Sequence, residues 1–280
     1  MAITAQDVFD RMKWNIGSDI RDWSRDTFLA GKPATPVTGI VTTFAPNLDV
    51  LRAGVASGKN MFVVRESPFW ARPPGQGGQV PSQAELERSA TYRMKRDFIA
   101  ANNVVVLRLH ENWQARVPDG QLVGFANALR WDRYYKPAAG MRPWARENGF
   151  FQIPASTLKA TAQYIKKTLG IRSIRVAGNP DQPVSRPALW HGLGGIPEAQ
   201  RLYAQPGVDL IVMGEPTWEF YPGSYALDMQ AAGINKAMIF AGHEASEEPG
   251  SGEVATWLKS FVSEVPIEWK PGGDPTWMPG

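Results

Sequence analysis

A chain of 280 residues with a formal net charge of +3 and no cysteine has ample length for a core, and it excludes thiolate catalysis, cysteine-ligated zinc and disulfides. No long Lys/Arg run argues for nucleic acid as a partner, and no apolar stretch is long enough to span a membrane. The N-terminus shows no charged and apolar leader, so the expectation is a soluble protein, cytoplasmic or exported with a leader removed.

In chain order, Thr4 and Asp7 have capping-box spacing, and Val8 and Met12 share a helical face. Residues 39–44 read as a strand, and Leu48, Leu51 and Val55 then recur at helical spacing. Met61–Val64 is the next strand. Ser82 and Glu85 signal a helix start, with Leu86, Ala90 and Met94 on one face. Val104–Leu109 reads as a strand, and Ser156–Leu169 as a helix stopped by Gly170. Strands at 173–178, 184–190, 208–213 and 236–241 alternate with helices near 197–205 and 224–232, before a last helix over 252–262. Such alternation predicts an α/β fold. Two segments interrupt it. Trp70–Pro81, rich in Pro and Gly, reads as a loop that covers a site or as an ordinary surface connection. Trp131–Phe150, rich in Trp, Tyr and Arg, reads as a domain junction.

All three histidines close apolar runs: His110 after Val104–Leu109, His191 after Val184–Trp190, and His243 after Lys236–Gly242. In α/β proteins ligands gather beyond the carboxyl ends of strands, so imidazoles there point to a metal. His243 and Glu247 are four apart and share a face if the chain turns into a helix after Gly242. Strand alternation places Val104, Val106, Arg108 and His110 on one face. His110, His243 and Glu247 would then form a two-histidine, one-carboxylate triad with open positions. Glu66 could add a fourth oxygen ligand or act as general base. Arg65 has no lone pair for a cation, and either clamps an anionic substrate group or makes a structural ion pair. Glu215 is a second candidate base, and Trp218 could wall a pocket with Trp70, Trp113 and Trp131. The turn His191–Pro197 is glycine-rich but lacks phosphate-loop spacing, and close backbone packing is the favoured reading.

The ordered set Val37–Thr43, Gly58–Pro68, Val106–Asn112, Pro118-Asp119-Gly120, Gly192–Gly195, Asp209–Glu215 and Gly242–Glu247 resembles the NIF three-like dinuclear metal-centre family, often labelled type-two-like GTP cyclohydrolases. The resemblance covers most of the chain. It implies two interlinked α/β lobes with the site in the cleft between them, here 1–130 with 243–280, and 131–242. It also implies a homo-oligomer, commonly a ring-shaped hexamer. The family's near-terminal His-x-x-x-Glu falls on His243 and Glu247. Its middle histidine falls on His110, but the aspartate partner falls on Gln114, and its His-His pair falls on Arg65 and Glu66. The resemblance so altered implies one divalent ion (Zn, Fe or Mn) per chain rather than two. A dinuclear centre would need oxygens from Glu66 with Glu111 or Glu215.

The function expected from these residues is metal-dependent hydrolysis of a small polar, anionic molecule through an activated water. The alternatives are a non-haem iron oxygenase built on the same triad and a non-catalytic metal-binding scaffold.

Overall fold

The structure, a computed structural model, describes residues 2–17, 25–69, 81–218 and 220–279. The chain divides into two units, Met1–Arg116 with Ser251–Gly272, and Val117–Gly250 with Gly273–Gly280. The first unit begins with α1 (Ala5–Asn15). The Thr4 side chain accepts the Asp7 N–H, and the Asp7 carboxylate accepts the Thr4 N–H in return. This capping box satisfies donors that a helix ladder leaves free. Val8 and Met12 lie on the buried face, as their spacing predicts. β1 (Phe28–Ala30), β2 (Ile40–Thr43), α2 (Leu48–Ala56) and β3 (Met61–Val64) follow.

The helix predicted from Ser82 is two helices, α3 (Gln83–Arg88) and α4 (Ala90–Ala101). Ser89 is extended between them and caps the second by accepting the Tyr92 N–H. That break resets the helical phase. Tyr92, Lys95 and Ile99 face inward, while Met94, predicted on the inner face, is 51% exposed. β4 (Val105–Arg108) and α5 (Glu111–Ala115) close this part of the chain.

The second unit opens with α6 (Gly120–Ala128), capped by Asp119. Trp131, at the start of the predicted junction, sits in the core of this unit. β5 (Ser156–Thr157) leads into α7 (Leu158–Leu169), which Thr157 caps and Gly170 ends in the left-handed region. Then come β6 (Arg175–Ala177), β7 (Pro183–Val184), β8 (Pro187–Gly194), α8 (Ile196–Tyr203), β9 (Leu210–Pro216), α9 (Phe220–Ala231) and β10 (Ala237–Phe240). α10 (His243–Lys259) starts at His243, well before Gly252, where the apolar pattern begins. Its residues from Ser251 onward belong to the first unit.

β11 (Ile267–Trp269) pairs parallel to β2 and completes a five-stranded sheet of order β1-β4-β3-β2-β11. Only β1, at one edge, is antiparallel to its neighbour. The second unit has a four-stranded sheet of order β6-β10-β9-β8, parallel except for β6, and a small β5–β7 pair. The chain is therefore of mixed α/β class, as expected.

Parallel strands of this kind are covered on both faces, and their alternating side chains feed two different cores. In the first unit Ile40, Met61, Val63 and Leu107 pack with Val8, Met12 and Leu258. Val41, Phe62, Val64 and Val106 turn the other way, toward Leu51 and Ile99. In the second unit Leu189, Val212 and Ile239 join Leu122 and Ile165, whereas Trp190, Met213 and Phe240 join Leu202 and Ala226.

Because Ile40 and Ile99 belong to separate cores, Ile40→Val and Ile99→Val should each destabilise the first unit by about 0.5–1.5 kcal/mol. Their double variant should show the sum, to within about 0.5 kcal/mol in chemical denaturation.

Candidate functional site

β3 runs into Arg65 and Glu66, and its parallel neighbour β4 runs into His110, so these residues emerge at one end of the first sheet. A residue that the sequence pattern does not single out, Asp26, organises this end. It is fully buried. Oδ1 accepts the N–H groups of His110 (2.8 Å) and Glu111 (3.2 Å), and Oδ2 accepts the Asn112 N–H (2.8 Å) and Nδ2 (3.0 Å). These are the free donors of α5, which has no side-chain cap from His110. Arg108, also buried, lies 3.2 Å from Asp26 Oδ1 and donates to Glu111. Burial opposes ionisation of Glu111, but the Arg108 hydrogen bond, the charges of His110 and Arg108 and the hydrogen bond with Asp26 together outweigh it and hold the carboxyl down to about 2.

Burial first, and the Arg65 guanidinium second, push the His110 imidazole below its ordinary value. His110 Nε2 lies 3.3 Å from Glu66 Oε1. Its Nδ1, 3.5 Å from Glu111 Oε1, has no hydrogen-bond partner among the described residues. Burial raises Glu66, yet the His110 hydrogen bond and the charges of His110 and Arg65 more than offset it, and its carboxyl lies below the ordinary range. Arg65 is buried, and its Nη2 donates to the neutral amide of Gln114 (Oε1, 2.9 Å).

The second unit gathers the other candidates and two residues not counted among them. His243 Nδ1 lies 2.9 Å from Glu215 Oε2, and His243 Nε2 lies 3.1 Å from Glu247 Oε2. The helical turn at His243 therefore does place His243 and Glu247 on one face. Glu247 is fully buried, and its Oε1 lies 2.9 Å from His191 Nδ1. His191 Nε2 lies 2.9 Å from Asp119 Oδ2, and both of these residues are also fully buried. The order is thus Glu215, His243, Glu247, His191, Asp119, from half-exposed to fully enclosed.

Local backbone explains this convergence. β8 and β9 slip register between Trp190 and Leu193, so His191 and Gly192 form an irregularity within β8, and pairing resumes at Leu193. Trp190 faces one core, and alternation turns His191 to the other, where α6 packs. Gly192 has φ +65, and a Cβ there would overlap Glu247 Oε1. The Gly192 N–H donates to Ser246 Oγ (2.9 Å), which donates to the His243 carbonyl (2.7 Å). Close backbone packing is thus what this glycine serves. Among the aromatic residues offered as pocket walls, Trp113 and Trp131 are core residues and Trp218 is 74% exposed. The Trp70–Pro81 loop lies outside the described residues up to residue 80.

A family profile described as Duf34/NIF3 (NGG1p interacting factor 3) matches residues 13–270. The chain belongs to the NIF3 family. The "GTP cyclohydrolase 1 type 2 homolog" of Clostridium acetobutylicum is 24% identical over 252 residues, covering 88% of this chain and 85% of that protein. Two solved structures have the same fold. The Staphylococcus aureus protein SA1388 is 17% identical, with a TM-score of 0.71 and coverage of 99% of each chain. The Bacillus cereus protein related to NIF3 is 12% identical, with a TM-score of 0.71 and coverage of 99% of each.

Set against the ligand pattern expected of a NIF3 protein, the two departures, Arg65 and Gln114, are hydrogen-bonded to one another. Neither of these two side chains supplies an anionic donor. Among the described residues no group of three or more His, Asp or Glu side chains is arranged to hold a metal ion. The pair that does fit is His243 with Glu247. Its 3.1 Å donor separation suits two ligands of one cation at about 2.0–2.2 Å each. Glu215 then stands behind the imidazole and His191 behind the carboxylate, where outer partners of metal ligands stand. The sequence marks His191 as an imidazole closing an apolar run before a glycine-rich turn, and Asp119 only as part of the family resemblance. Their burial against each other is a tertiary fact that spacing does not carry.

The Glu111 contribution to stability has a definite sign. Its folded value lies below the ordinary 4.5, so the contribution is present above that value and fades as pH falls toward about 2. Between those limits the denaturation midpoint of wild type should fall more steeply with acidification than that of Glu111→Gln.

Proposed function

We propose that this NIF3 protein is a metal-dependent hydrolase of a small polar, anionic molecule, with one divalent ion held by His243 and Glu247. One observation carries the reading: an imidazole and a buried carboxylate 3.1 Å apart, each backed by its own partner at 2.9 Å. A surface His-x-x-x-Glu pair has no need of such backing. When bound, a divalent ion supplies Lewis acidity and a water acidified toward neutrality. The remaining work falls to the chain. His243 and Glu247 are the holders, and Glu215 fixes the imidazole through Nδ1 while its own half-exposed carboxylate can take up a proton.

In the first unit, Glu66 is a candidate base, its carboxyl lowered by His110 and Arg65 against the effect of burial. Arg65 donates to the Gln114 amide, and a guanidinium is the group suited to an anionic part of the substrate. With Arg65 and Gln114 where anionic or imidazole ligands are expected, the reading is one ion per chain. The relative's name supports a purine nucleotide as the first substrate to try.

Elemental analysis of the purified protein should find about one Zn, Mn or Fe per chain. His243→Ala should weaken its uptake by at least ~100-fold, since a lost ligand costs more than a lost outer partner. GTP hydrolysis should fall with it. Metal content unchanged in the variant would sink the site, and metal bound without turnover of GTP or related nucleotides would favour the scaffold reading.

A further inference from the structure

Three fully buried titratable side chains in line are an expensive arrangement for a core, because each charge removed from water must be compensated by its neighbours. Asp119, His191 and Glu247 form such a line in the second unit. Packing does not require it. Asp119 already has a structural task through one oxygen, since Oδ1 accepts the Gln121 N–H (2.8 Å) and the Leu122 N–H (3.4 Å) and so caps α6. Its other oxygen is left to His191. His191 is likewise aimed by its backbone, at the register slip between β8 and β9, with its carbonyl accepting from Arg146 (3.1 Å). The imidazole is thus held from the α6 side, and it holds Glu247 Oε1. That leaves Glu247 Oε2 as the oxygen turned to His243. Gly192 keeps the approach open, as any side chain there would meet Glu247.

We propose that Asp119 and His191 are positioning residues that lock the rotation of the Glu247 carboxylate, and so set both the orientation of the His243 ring and the affinity of the His243–Glu247 pair for a divalent cation. The affinity half of this rests on the metal reading above; the ring-orientation half does not. Neither residue touches the cation or a substrate. A carboxylate pinned through one oxygen presents the other in a single direction, which reduces the reorganisation needed when a cation arrives.

The test uses the full-length protein, zinc ion as the probe, and two readouts. Asp119→Asn is the informative variant. Asn caps a helix as well as Asp does, so α6 keeps its cap through Oδ1 while the charged acceptor facing His191 is replaced by an amide NH2 that can only donate. His191→Gln removes the imidazole altogether. Calorimetric titration should show zinc binding about 10–100-fold weaker in both variants, with stoichiometry unchanged. The second readout is the nitrogen spectrum of the histidine rings in metal-free protein, tractable because the chain has three histidines. Both variants should change the balance of protonated nitrogens on His243, which lies three hydrogen-bond steps from position 119 and two from position 191. Should His191→Gln fail to fold, Asp119→Asn alone decides the matter. Zinc affinity and His243 signals indistinguishable from wild type would overturn the proposal. His243→Ala separates the two ideas. Wild-type zinc affinity in that variant, or no zinc uptake by wild type, defeats the metal reading and the affinity half of the proposal, while the His243 spectrum still judges whether Asp119 and His191 orient the ring.

Discussion

A carboxylate with no access to water has to find a partner for each oxygen, and Glu247 finds an imidazole for both. Much of the second unit's chemistry at the strand ends follows from that requirement. His191 must leave the sheet toward α6, which a register slip between β8 and β9 permits. The residue after it must be glycine, because the carboxylate occupies the space a side chain would take. α10 must begin at His243 to bring a second imidazole one turn above Glu247. Ser246, between them, ties the helix start to the Gly192 backbone.

The first unit meets a related demand with different means. There the buried carboxylate is Asp26, and backbone N–H groups with one guanidinium answer it. The effect is to fix the chain where β4 turns into α5, and with it the position of His110. Charge is also distributed differently. Burial, with Arg65 and Arg108, lowers the proton affinity of His110, and the His110 hydrogen bond with Arg65 and Arg108 lowers Glu66. The second unit instead presents imidazole between two carboxylates.

The fold was largely legible in the sequence because its signals are local. Capping residues at Thr4 and Ser82, the glycine at 170 and the apolar strand runs each announce one element. A break that no local signal marks, as at Ser89, resets the helical phase, so the face shared by Leu86, Ala90 and Met94 in the sequence pattern is not the buried one, and Met94 is exposed. β1 and β11 are short and carry no clear pattern, since edge strands are defined by whom they pair with. At the site, His243 with Glu247 could be read because four residues make one helical turn. Asp26 and Asp119 could not. Asp26 lies more than eighty positions from the donors it serves, and Asp119 lies seventy-two positions from His191. Nothing in the sequence near either one marks it as buried.

The division of the chain also bears on how it is made. The second unit's sheet and helices are contiguous between Val117 and Gly250, whereas the first unit draws on residues at both ends of that insert. While the ribosome is still translating, β2 has no β11 at its edge, and the core beside α1 lacks Val254, Leu258 and Ile267. Synthesis from the N-terminus therefore makes the second unit's sheet before the first unit's, and the earlier segment waits, with an unpaired strand edge, until β11 has been translated.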